Sequence, residues 1–224
     1  MARRSIFGLL AVTGTFLLTS CGLFGGNRYR YKLIVEVETP EGPITGFAVR
    51  QVDWSAGRRI TPEASTASMA HAGEAAIVDL PGREMLFALM SPDGQETPRL
   101  AFGSARQTTG SDRLLKVLTR PSRAEATYGE SGYPRLVRFV DPNDPKTVEL
   151  VDPANLAATF GEGYRLSRIT AQIVDEPVTE RIAARLKWLE QYRDRMLDGE
   201  RYHLVQSPLL ASHLNTLAFK REAV

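Results

Sequence analysis

Cysteine is nearly missing from this chain: Cys21 is the only one in 224 residues. A lone thiol forms no disulfide within the chain, so stability has to come from a buried core. Histidine is scarce as well. His71, His203 and His213 lie neither three nor four residues apart nor beside a cysteine, so their spacing outlines no zinc site. The chain also lacks a strong excess of one charge. Lys and Arg together number 28 against 26 Asp and Glu, which gives no whole-chain field to draw in nucleic acid. The apolar stretch from Ile6 to Leu18 is shorter than the ~20 residues that cross a bilayer as a helix. No internal repeat, heptad array or low-complexity tract is present.

What is there begins with the three parts of an export signal: a basic start at Arg3 and Arg4, the apolar stretch, and small residues before Cys21. Residues 1–20 are therefore expected to be a cleaved signal peptide. The segment Leu18-Thr19-Ser20-Cys21 resembles the bacterial lipobox. That likeness implies that the Cys21 thiol carries diacylglycerol, and that the new amino terminus is acylated after cleavage. Two or more acyl chains anchor a protein stably, at about 0.8 kcal/mol per buried CH₂. Gly22 stands where sorting pathways of many Gram-negative bacteria look for aspartate as an inner-membrane retention cue. Its presence there points to the periplasmic face of the outer membrane. Arg3-Arg4-Ser5-Ile6-Phe7 also resembles a twin-arginine signal, although two arginines equally make an ordinary basic start. Arg3 and Arg4 are the only charged side chains in residues 1–20, so removing that stretch takes the formal net charge from +2 to zero.

Residues 21–28 read as the acylated cysteine and a short tether, and residues 29–224 as one globular domain. A chain of this length buries roughly 70% of its unfolded surface without staples. Leu33, Val35 and Val37 alternate with Lys32, Glu36 and Glu38, which predicts a half-buried strand; after Pro40-Glu41-Gly42-Pro43, Phe47, Val49 and Val52 predict its hairpin partner. Residues 55–72 read as a long loop. Runs at 74–80 and 84–90 around Pro81-Gly82, and at 136–140 and 147–151 around Asp141-Pro142-Asn143-Asp144-Pro145, predict two further hairpins. A weaker strand is expected at 114–118 and a long one at 164–174. Asp152 and Pro153 mark the start of a short helix. Val178, Ile182, Leu186, Leu189 and Met196 recur at helical spacing up to Gly199, so a long amphipathic helix is expected over 177–197. The predicted class is α+β: antiparallel hairpins forming a sheet, with that C-terminal helix packed on it.

Several phrases carry a likeness to a known group of sequences. Among them are Gly73-Glu74-Ala75-Ala76-Ile77-Val78-Asp79-Leu80-Pro81, Asn155-Leu156-Ala157-Ala158-Thr159-Phe160-Gly161 and Ile173-Val174-Asp175-Glu176-Pro177-Val178-Thr179. Together with Glu38-Thr39-Pro40-Glu41-Gly42 and the Val140 to Pro145 turn, they resemble a family of uncharacterised proteobacterial envelope lipoproteins. The resemblance implies a single bacterial envelope domain. It implies no activity, ligand or catalytic residue.

Candidate chemistry is sparse. Gly129-Glu130-Ser131-Gly132 misses the Gly-x-Ser-x-Gly nucleophile elbow by one residue and reads as a glycine-rich turn. Asp141, Asn143, Asp144, Glu149 and Asp152 crowd one hairpin with hard oxygen donors, but not at the spacing of a calcium loop. The clearest charge asymmetry runs from Arg99 to Arg123, where Arg106, Arg113, Lys116 and Arg120 stand among six basic residues against Asp112 alone. Such a stretch either contacts an anionic surface such as lipid phosphates or guards a strand edge with charge, and the second reading is preferred. Trp54, Trp188 and Tyr192 are candidate recognition aromatics, though helix packing is the preferred role for the last two. The expected function is a non-catalytic binding or structural module in the envelope, with the bilayer as one partner and an envelope protein, glycan or lipid as the other. No cofactor, metal or nucleic acid is expected. The competing reading is a periplasmic hydrolase whose site assembles only in three dimensions. Replacing Cys21 by Ala should leave a folded domain that fractionates away from membranes; normal processing with the variant still membrane-bound would refute the lipid anchor.

Overall fold

The computed structural model describes residues 27–56, 67–90, 98–104, 124–203 and 206–222. Strand β1 (Asn27–Thr39) buries Tyr29, Tyr31, Leu33, Val35 and Val37 on one face and turns Arg28, Lys32, Glu36 and Glu38 to the other. The period of two is what a strand requires. A two-residue turn, Pro40-Glu41, leads into β2 (Gly42–Ala56), which pairs antiparallel with β1 from Thr39↔Gly42 to Asn27↔Trp54. The Thr39 hydroxyl closes the turn by donating to Gly42 O at 2.7 Å and accepting from Glu41 N at 3.2 Å.

Beyond β2 come β3 (Ala67–Glu74), β4 (Ala76–Asp79), β5 (Met85–Ala88), β6 (Glu125–Thr127), β7 (Leu136–Phe139), β8 (Val148–Val151), β9 (Arg165–Val174) and β10 (Lys220–Arg221). In space the order is β6-β9-β1-β2-β4-β5-β7-β8, with β3 on β2 and β10 on β3. All pairs are antiparallel, and the sheet curls into a half-barrel. Two register shifts help it curl, because an extra residue on one strand bends that strand and raises its twist. One lies between Glu36 and Val37, where β1 meets β9. The other separates the pairs Gln51↔Ala72 and Phe47↔Ile77, so β3 and β4 flank β2 with one surplus residue. Close strand contact at this point depends on Gly46, since a Cβ there would sit 2.1 Å from Ile77 O.

The central strands are buried on both faces. Leu86 and Leu136 enter one core with Leu33, Val35, Ile169 and Leu156, and α1 (Pro98–Ser104) contributes Ala101 and Phe102 to it. Phe87, Val137, Phe139 and Val148 enter a second core on the opposite face, against Ile182, Leu186, Trp188, Leu189, Leu197 and Phe219. Phe139 is the hub of this second core, with ring centroids 5.5 Å from Phe87, 5.5 Å from Trp188 and 5.6 Å from Phe219.

The long C-terminal helix does not form, and this overturns the α+β expectation. Among the described residues the only α-helices beside the sheet are short: α1, α2 (Ala157–Phe160) and α3 (Ile182–Arg185). After α3 the chain proceeds by turns, and the backbone already leaves helical geometry at Leu186 (φ −116°, ψ 82°). Packing explains the failure. Leu186, Trp188 and Leu189 are all buried, whereas a helix rotates about 100° per residue and would set Trp188 roughly opposite Leu186. The Trp188 indole donates to Pro142 O at 3.0 Å, and its ring packs on Phe139 and Phe219, so tertiary contacts override helix propensity. The 55–72 loop is also corrected at its end, because β3 begins at Ala67. The strand expected at 114–118 lies outside the described residues.

The buried side chains of the 182–197 stretch therefore hold the second core without a long helix. Leu186→Ala should lower the unfolding free energy by about 2 to 5 kcal/mol. Arg193→Ala, which removes an exposed ion pair to Glu190, should cost less than about 0.5 kcal/mol. Urea unfolding curves that place the two variants together would show the burial to be misassigned.

Candidate functional site

An open cleft of roughly 840 Å³ lies where the ends of β5, β7 and β8 meet the C-terminal segment. Backbone hydrogen bonds build its walls: Leu89 N donates to Arg135 O at 3.0 Å and Met90 N to Ala218 O at 2.8 Å. A 3₁₀ turn, Glu130–Gly132, brings Glu130, Ser131 and Tyr133 to one side. The end of β8 brings Leu150 and Asp152, and the C-terminal segment brings His213 and Leu214. Leu100 and Leu150 stand at 37% and 61% exposure and give the cleft apolar groups facing water. Burial first, and then the Glu130 carboxylate, push the Tyr133 phenol above its ordinary range. That phenol stays protonated and can donate a hydrogen bond to a ligand. The Arg135 side chain forms no hydrogen bond or ion pair with another described residue. It too is available to a ligand.

Serine, histidine and carboxylates thus share one cleft, yet they do not form a nucleophile and its base. His213 Nε2 lies 2.6 Å from Ser207 O, and His213 Nδ1 lies 2.5 Å from His203 Nε2. Both ring nitrogens are engaged away from Ser131. The buried Ser212 hydroxyl bonds the Ser207 hydroxyl at 2.8 Å. Among the described residues no serine hydroxyl bonds a histidine nitrogen, which is the contact an activated serine needs.

Of the residues singled out in the sequence, Cys21, Arg106, Arg113, Lys116 and Arg120 lie outside the described residues. Trp54 lies on β2, opposite Asn27. Trp188 and Tyr192 belong to the second core. The acidic hairpin spends its oxygens on its own turns. Asp141 Oδ1 accepts from Asn143 N at 2.9 Å, Asp144 Oδ1 from Lys146 N at 3.0 Å, and Asp152 Oδ1 from Ala154 N at 2.9 Å. These are Asx turns, which need no cation.

Two groups invisible to sequence reasoning organise the neighbourhood. Arg50 on β2 is 2% exposed and donates from Nε to Glu74 O at 2.9 Å and from Nη2 to Ala88 O at 2.8 Å and Leu89 O at 3.3 Å. Glu74 is 1% exposed; its Oε2 accepts from Ile182 N at 2.8 Å, and its Oε1 faces Arg181 Nε at 3.7 Å. Gly73, with φ +129°, lets the chain bend around the Arg50 side chain. No sequence motif marks either residue. The only trace is that each is a charged residue inside a predominantly apolar stretch, Arg50 within Phe47 to Val52 and Glu74 just before Ala75-Ala76-Ile77-Val78.

Comparison with family models, with curated proteins and with solved structures found no match.

His71 on β3 sits within reach of Arg50 and Arg221. Burial, and then these two cations, lower its pKa. Its folded pKa therefore lies below the unfolded value of about 6.5. The folded state keeps its full advantage above that value and loses it as pH falls toward the folded pKa, because the unfolded chain then binds the extra proton. Urea midpoints should fall between about pH 7.5 and 5, and His71→Gln should flatten the dependence. Parallel profiles for the two proteins would rule His71 out as the cause.

Proposed function

We propose that this chain is a lipid-anchored envelope protein, held through acylated Cys21 at the periplasmic face of the outer membrane. Its domain acts there as a non-catalytic binding module, and the cleft is the binding surface. The lipobox likeness supports the anchor. No helix among the described residues is long and apolar enough to cross a membrane. The observation that carries the binding reading is the composition of the cleft. Its volume falls in the range of roughly 300 to 1,000 Å³ that small-molecule sites occupy, and it combines apolar walls with Tyr133 and Arg135. The partner is an envelope protein, glycan or lipid that offers an apolar group beside a hydrogen-bonding or anionic one.

One observation favours a hydrolase instead, namely that Ser131, Asp152 and His213 line the same cleft. Rearrangement on substrate binding would have to free a His213 nitrogen before Ser131 could be activated.

Both readings are tested on the same protein in native envelopes. A photo-crosslinking side chain at Leu150 should capture a discrete partner, and one at exposed Glu162, which does not line the cleft, should not. A fluorophosphonate probe should leave the protein unlabelled. Labelling that Ser131→Ala abolishes would replace the module by a hydrolase, and equal capture from positions 150 and 162 would remove the cleft as the binding surface.

A further inference from the structure

Ten positions apart in sequence, His203 and His213 converge in the fold, with ring centroids 4.6 Å apart and planes inclined by 67°. Ser207 O can only accept, so the His213 Nε2 atom lying 2.6 Å from it carries the ring proton. In the neutral ring His213 Nδ1 is then a lone pair, and it points at His203 Nε2, 2.5 Å away. The support beneath His213 is rigid. Ser212 is buried and bonded to Ser207, while Asp198 N donates to Ala211 O at 3.3 Å and Leu197 N to Leu214 O at 2.9 Å on either side. His203, by contrast, is exposed.

We propose that His203 and His213 form a two-histidine site for a divalent transition cation at the margin of the cleft. Imidazole nitrogens suit copper, zinc and nickel, and carboxylate-rich sites suit calcium and magnesium. The Ser207 carbonyl stands where the second nitrogen of a metal-ligating histidine finds its partner, and it fixes the tautomer that leaves the other nitrogen free to ligate. An ion held at about 2.0 to 2.1 Å by both rings at a tetrahedral angle needs the two nitrogens about 3.3 Å apart. The exposed His203 ring supplies that opening while His213 stays fixed. Among the described residues no third histidine, cysteine or carboxylate completes the group. Water therefore fills the remaining positions, and the site is exchangeable rather than structural.

The test uses the full chain in detergent, titrated calorimetrically with Zn²⁺ and, separately, with Cu²⁺ at about pH 7.5. Saturable binding is expected, tighter for Cu²⁺ than for Zn²⁺. His203→Ala and His213→Ala should each weaken binding at least tenfold, and His71→Ala should leave it unchanged. His203 is exposed, so His203→Ala decides the matter even if His213→Ala melts early. No saturable binding below about 1 mM, or binding that survives His203→Ala, would show that the two rings share only a hydrogen bond and would overturn the site.

Discussion

A guanidinium sealed inside the sheet fixes the geometry of everything around it. Burying a charge is costly unless hydrogen bonds replace the lost water, and Arg50 meets that condition with the carbonyls of Glu74, Ala88 and Leu89. Those carbonyls belong to the two places where regular pairing stops: the surplus residue between β3 and β4, and the end of β5. Glu74 extends the arrangement outward, because its buried carboxylate takes the Ile182 amide and draws in Arg181. Ala75 N then donates to Phe219 O. One junction thus ties the sheet to α3 and to the last strand, and it orients the segment that covers the second core.

The cleft inherits its position from the same junction. Leu89, whose carbonyl accepts from Arg50, gives its amide to Arg135 O, and Met90 gives its amide to Ala218 O. Its walls are therefore backbone held from beneath. Its chemistry comes from side chains on segments that are far apart in sequence, with Tyr133 before β7, Asp152 after β8 and His213 near the C-terminus. Rigid walls and convergent polar groups are the features of a binding surface. Both ring nitrogens of His213 are engaged away from Ser131 on this surface.

The hairpins were legible because their signals are local. Alternation along β1 and the Pro-Gly and Asp-Pro turns report directly on strands and reversals. The 177–197 stretch misled because its spacing fits a helix equally well; what decides its shape is Trp188 reaching Pro142 and Phe139, contacts that no local pattern records. The faces of β2 were unreadable for a related reason. Ala48, Val49, Arg50, Gln51 and Val52 are all buried, and a strand covered on both sides loses its alternation. The histidine pair and the cleft were hidden altogether, because ligand spacing is a signal only when the ligands share an element. Cys21 and the basic segment, the features most prominent in the sequence, lie outside the described residues.

The strand order also dictates when the fold can close. Synthesis delivers β1 first, yet one of its two edges waits for β9, which begins at Arg165, and the second core waits for Phe219 near the end of the chain. Sheets that rely on such distant pairings form slowly. Until β9 arrives, the early hairpin offers an open edge with the apolar face of Leu33, Val35 and Val37 uncovered, the kind of surface on which chains aggregate.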